Sequence, residues 1–337
     1  MNRKYIFALI LIVGMMSGSL TTTMAYDTAI TTTGATFAFD LSHGGYHTTM
    51  DDLGPLMDNL TLAGNTVLLI NETWELPDKV DALFLTQSDD EFTAAEKADI
   101  KAWLGIGDKL LIAVGDSDYA GIFQPAPINN LLAYIGAMLR LDATSIEDPE
   151  FNDGSAYRVG ANELGYGNDL YDDLVYNLTE GMEAGIILHG PCAVLAFDGY
   201  YYKDIRLDYT VFNRLEVLIT YGRNGTSIDS DVSETELDLY AGETGYIPAV
   251  VYEYLPNLND SHLIVGGEAF YTHYKFMYDQ TTENGVYHDG VHYGQMFVNN
   301  IINWFVKTPT ASSYEFAFAV IPLAIIGVIY VLMKKRK

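Results

Sequence analysis

The sequence predicts an α/β domain with a mostly parallel sheet and helices on both of its faces. Three observations lead there. Short apolar runs of strand length alternate with segments of helical period. Those runs are apolar at nearly every position, as in strands covered on both sides. No internal repeat and no Pro- or Ser-rich linker interrupts the pattern, so one domain is expected.

The elements follow in order. "TFAFDLS" reads as the first buried strand, and "MDDLGPLMDNLTLAG" places Leu53, Leu56, Met57 and Leu60 on one helical stripe. "NTVLLI" and "DALFLTQS" are two further strands expected to be covered on both faces. "TAAEKADIKAWLGIG" opens with Thr93 and Glu96 in capping-box spacing and closes on glycines, which marks both ends of a helix. "KLLIAVGD" is a strand, and "INNLLAYIGAMLRL" is expected to continue as a helix. In the second half "AGIILHG" and "CAVLAFDG" are candidates to pair, and "LEVLITYG", "IPAVVYEY" and "SHLIVGGEAF" read as strands. "YGQMFVNNIINWFVK" closes the body with Met296, Phe297, Ile301, Trp304 and Phe305 on one helical face.

The chain ends carry different signals. Residues 1–25 have the basic, apolar and small-residue order of a secretory signal peptide, with cleavage expected after Ala25. The apolar run is too short to serve well as a spanning anchor. Residues 314–333 are an almost unbroken apolar stretch of bilayer length, and the basic residues 334–337 after it are expected to stay in the cytoplasm. Residues 310–313 form a tether, and residues 26–309 form an extracytoplasmic body. The expected protein is a single-pass membrane protein with its body outside and its C-terminus in the cytoplasm.

The body holds 44 of the chain's 45 acidic residues and 12 of its 18 basic ones. Nucleic-acid binding is excluded on that ground, because its affinity comes from neutralising phosphates. The chain has one cysteine, Cys192, so no disulfide framework exists. Amid apolar neighbours it reads as a buried structural thiol. The sequons at Asn59, Asn71, Asn177, Asn224 and Asn259 are glycosylation candidates in an exported body.

The succession "FDLSHGG", "DALFLTQSDDEFTAAEKADIKAWLGIGDKLLIAVGDSD", "HGPCAVLAFDG", "LIVGGEAF" and "NNIINWF" resembles the class I glutamine amidotransferase-like superfamily. It is closest to the non-catalytic branches found in gliding-motility, intraflagellar-transport and archaeal surface proteins. That resemblance covers most of residues 36–307 and implies a flavodoxin-like three-layer sandwich. It also implies a membrane or envelope protein as partner. Enzymatic members need a cysteine nucleophile on the sharp turn after a central strand, with a base beside it. Here the corresponding turn reads Gly115, Asp116, Ser117, Asp118, Tyr119, with no cysteine. Acids flanking Ser117 oppose both an activated nucleophile and a developing oxyanion. The domain is therefore expected to bind rather than catalyse.

Two histidine pairs share one spacing: His43 and His47 near the start of the body, and His288 and His292 near its end. Asp40, Ser42 and His43 follow the first strand, Asp116 and Asp118 follow a central one, and carboxyl ends of parallel strands are where ligands bind. If His288, Asp289 and His292 reach the same edge, a divalent metal is one occupant and an organic or glycan ligand another. In that case the alternative to a binding protein is a metal-dependent hydrolase. Glycines inside both spacings favour a third reading, turn residues that bond loop amides. The "DGYYYKDIRLDY" segment is an aromatic-rich ribbon suited to stacking on a sugar or a partner.

Overall fold

The computed structural model describes residues 29–307, apart from 32, 46–47, 72, 118–124, 162, 165–178, 180–181, 183–184, 209–213 and 230–236. The expected signal peptide, tether, membrane span and basic tail all lie outside the described residues. Among the described residues no helix is long and apolar enough to cross a membrane.

Among the described residues the main sheet has eight strands: β1 (Thr36–Asp40), β2 (Thr66–Ile70), β3 (Ala82–Leu85), β4 (Leu110–Val114), β5 (Glu163–Leu164), β6 (Leu215–Thr220), β7 (Pro248–Leu255) and β8 (Ser261–Gly266). Their spatial order is β2-β1-β3-β4-β8-β7-β6-β5. The first five of that order run parallel, and β7, β6 and β5 extend the sheet by antiparallel pairing. The architecture is thus α/β with a mostly parallel sheet, consistent with a flavodoxin-like fold.

Side-chain alternation along the strands divides the core in two. Phe37 and Phe39 of β1, Phe84 of β3, Ile112 of β4 and Ile264 of β8 face α1 (Met50–Leu62) and α4 (Gly294–Lys307). Ala38, Leu83, Leu111, Ala113 and Val265 face α2 (Ala94–Leu104) and α3 (Ala126–Ile135). Leu53, Leu56 and Leu60 of α1 are fully buried, as are Phe297 and Ile301 of α4. Each such side chain contributes about 2 kcal/mol of apolar burial. Both α1 and α2 start with a closed capping box, Thr49 with Asp52 and Thr93 with Glu96.

Three expectations are corrected. β2 is an edge strand with Thr66 and Leu69 exposed, because among the described residues only β1 pairs with it. The helix expected through residue 141 stops at Gly136, which takes the left-handed conformation (φ 84°) and frees Leu139–Leu141 to form a strand. Ile186–His189 and Val194–Phe197 do not pair with each other. The first pairs with Arg158–Ala161, and the second with Leu139–Leu141 and Tyr202–Lys203.

Candidate functional site

The carboxyl ends of β1, β3, β4 and β8 lie along one rim, and each is followed by a polar residue that the fold buries. Asp40 is the last residue of β1 and is fully buried. Its Oδ1 accepts from Ser42 N at 2.9 Å and Ser42 Oγ at 2.7 Å, and its Oδ2 lies 2.7 Å from His43 Nδ1. His43 Nε2 reaches Glu96 Oε2 at 3.3 Å, so the imidazole bridges β1 to the first turn of α2. Its ring lies 3.9 Å from that of Phe92 and meets Trp74 edge-on at 5.4 Å. Burial by itself would lower the imidazole, but the bonds and charges of Asp40 and then Glu96 outweigh it, and the net shift is upward from 6.5. Both ring nitrogens are engaged. His43 is held as a clamp between two acids, one on each ring nitrogen.

Two strands along, the rim is an acid cluster. Asp116 follows β4 and Glu268 follows β8, and both are buried. Asp116 Oδ1 accepts from Ser117 N at 2.6 Å. Glu268 Oε1 accepts from Ala269 N at 2.7 Å and from Gln87 Nε2, which also donates to Gly115 O at 3.1 Å. Burial first, and Asp89's charge second, push the Asp116 carboxyl up to about 8. Burial and then Asp116's charge push Glu268 well above 4.5. Tyr271, fully buried, donates to Leu85 O at 2.8 Å in the field of both Asp40 and Glu268. Asp89 binds back to His43 O through its N–H at 3.0 Å and so links the clamp to the acid cluster.

The segment carrying Cys192 roofs this rim. Ser117 N bonds to Gly190 O at 3.0 Å, Cys192 N bonds to Gly267 O at 2.9 Å, and Tyr221 Oη donates to Cys192 O at 2.7 Å. Cys192, the chain's single cysteine, is fully buried, as its apolar setting predicts. Ser117 is itself buried under this roof, at 4 % exposure.

Asp40, His43 and Asp116 therefore share one rim, on strands separated by β3, which places them about 10 Å apart along the sheet. His292 does not share their partners. Its Nε2 meets Phe276 O at 3.0 Å and its Nδ1 accepts from Gly294 N at 3.1 Å, so it fixes the chain entering α4. Burial lowers its imidazole, keeping it neutral in that role. His288 and Asp289 are exposed, at φ 41° and 58°, in the turn before it. His47 and Asp118 lie outside the described residues. Among the described residues, no group of three or more His, Cys, Asp or Glu side chains is arranged to hold a metal ion.

Of the glycosylation candidates, Asn71 and Asn259 are exposed, and Asn259 Nδ2 donates to Gly105 O. Asn224 Nδ2 donates to Glu150 Oε2 at 2.7 Å. Asn177 lies outside the described residues. Asn59 Nδ2 donates to Tyr278 Oη at 2.9 Å inside a cleft of about 500 Å³, which Gln280, Gln295 and Asn299 also line.

Glu268, Gln87, Asp89 and Glu96 were not singled out as site residues by the sequence reading. For Glu268 a signal existed: like Asp40 and Asp116, it is an acid just past a buried apolar strand.

No family model matches this chain, and no curated protein is similar to it. Solved structures are. The mmIFT52 N-terminal domain aligns with 80 % of this chain and 97 % of its own length at 10 % identity and a TM-score of 0.53. This chain shares that domain's fold. A putative ThuA-like protein from Bacteroides uniformis aligns over 82 % of this chain and 93 % of its own, at 8 % identity and a TM-score of 0.38. PurLQS from Thermotoga maritima aligns over 81 % and 99 %, at 12 % identity and the same TM-score of 0.38. At this identity the first likeness speaks to fold alone, and the other two carry no argument.

Proposed function

We propose that this chain is a membrane-anchored cell-surface protein whose amidotransferase-like domain is catalytically inactive and binds or organises a partner. The observation that carries the reading is the buried acid Asp116, in the field of buried Glu268, on the turn after β4 where an amidotransferase would need an exposed nucleophile. Acids held neutral by burial supply no base to a neighbouring hydroxyl, and ionised ones would oppose an oxyanion. His43 is engaged on both sides, by Asp40 and by Glu96, and so does not stand as a base beside Ser117. The fold shared with the mmIFT52 N-terminal domain agrees with a member of the non-catalytic branches. The apolar stretch 314–333 and the signal-like residues 1–25 support the anchored, outward-facing topology.

The partner is another membrane or envelope protein. Chemical crosslinking in intact membranes followed by mass spectrometry should recover crosslinks between residues 26–309 and a second protein. Recovery of the monomer alone would sink that assignment. A second reading, glycan binding, is favoured by the cleft at Asn59: none of its lining residues is charged, and neutral amides suit hydroxyl-rich ligands. Retention on a glycan array that is lost in Gln295→Ala would select it over the protein partner.

A further inference from the structure

The two edges of the sheet expose different chemistry. At the carboxyl edge lie the acids already described. At the amino edge α4 comes to its end: Trp304 packs edge-on against His262 at 5.2 Å, and His262 pairs with Leu110, the first residue of β4. The ribbon that begins under Gly267 runs to this same edge. Phe197 N bonds to Met138 O at 2.7 Å, Met138 N bonds to Glu253, and Glu253 pairs with Leu263 near the start of β8. The turn beyond Phe197 continues in that direction, with Tyr200 86 % and Tyr201 70 % exposed. Leu62, the last residue of α1, and Ile106, just past α2, are exposed at this edge too, because each helix runs back against the strand before it.

We propose that the amino edge is the face this protein turns to the bilayer, with Tyr200 and Tyr201 seated among the lipid headgroups. The proposal rests on the reading that residues 314–333 span the membrane. Only residues 308–313 separate the end of α4 from that span, and six residues fully extended reach about 20 Å. A body of this length is roughly 45–50 Å across, so the tether is too short to let it turn over. Tyrosine suits the headgroup layer, where one end of the ring is apolar and the hydroxyl stays wet. The carboxyl edge, with Asp40, His43 and Asp116, then points away from the membrane toward partners.

The test uses the full chain in liposomes whose phosphatidylcholine and phosphatidylglycerol headgroups carry a nitroxide quencher. A fluorophore is attached at Tyr201→Cys or, at the opposite edge, at the exposed Asp90→Cys. Cys192 is buried and escapes labelling. The label at 201 should be quenched several-fold more strongly than the label at 90, and equal quenching would overturn the orientation. With the label moved to Ile106→Cys, adding Tyr200→Ser and Tyr201→Ser should remove a large part of its quenching. Unchanged quenching there would overturn the seating of the tyrosines. A chain that an alkaline wash strips from the liposomes refutes the membrane anchor itself, a failure separate from both.

Discussion

Replacing Asp116 with asparagine should stabilise the fold at neutral pH and flatten its pH profile between about pH 4 and 8. The folded chain keeps the Asp116 carboxyl protonated up to about 8 against an ordinary value of 3.8. Its unfolded chain gives that proton up above about pH 4. Stability from this group is therefore fully present below the unfolded value and is lost as pH rises to the folded one. A gap of this size corresponds to several kcal/mol, on the order of 5 at pH 8, shared in part with Glu268. Asparagine keeps the oxygen that accepts from Ser117 N and removes the titration. Glu268→Gln should act in the same direction, since its Oε1 contacts with Ala269 and Gln87 survive the change. Denaturant midpoints measured at pH 5 and pH 8 check this: wild type should lose stability between them and Asp116→Asn should lose much less. Identical slopes for the two would mean that burial does not hold these acids neutral.

Gly267→Ala should be among the most damaging single substitutions in the chain. An added Cβ would stand 1.9 Å from the carbonyl oxygen of Cys192 and 2.9 Å from its carbonyl carbon, so backbone rather than a flexible side chain would have to move. That close approach is what lets the Cys192 segment bond to Gly267 O and cover the rim. The expected loss exceeds about 4 kcal/mol, the range reserved for severe overpacking. Chemical denaturation would show the variant unfolded or strongly shifted. A wild-type midpoint would show that the segment over the rim yields freely.

Much of the fold was legible because the strands are short and unbroken in apolarity. "TFAFD", "ALFL" and "LLIAV" can hide both faces only inside a sheet with helices on each side, and the capping box at Thr93 and Glu96 marks its helix start directly. "NTVLLI" misled because apolarity alone does not say whether a strand has neighbours on both sides. "GAMLRL" misled because helical period continued past Gly136, and only the left-handed turn there breaks it. The pairing of Ile186–His189 with Arg158–Ala161 is a contact between distant segments that neither run announces.

The site was half legible. Asp40, His43 and Asp116 were placed on the carboxyl rim by topology, and they are there. What the spacing did not reveal is that His43 is consumed by Glu96, a residue the sequence shows only as a helix cap. Nor did it show that His292 is consumed by backbone groups of Phe276 and Gly294. A repeated spacing of two histidines says nothing about which hydrogen bonds each ring will find.

If this rim performs no covalent chemistry, as proposed, one measurement meets that directly. The purified full chain is incubated with ester, amide, phosphate and glycoside reporters, with and without added divalent metal, beside Ser117→Ala and His43→Ala. No turnover above that of the two variants is expected under any condition. Turnover by the wild-type chain that disappears in Ser117→Ala, or metal-dependent turnover that disappears in His43→Ala, would contradict it.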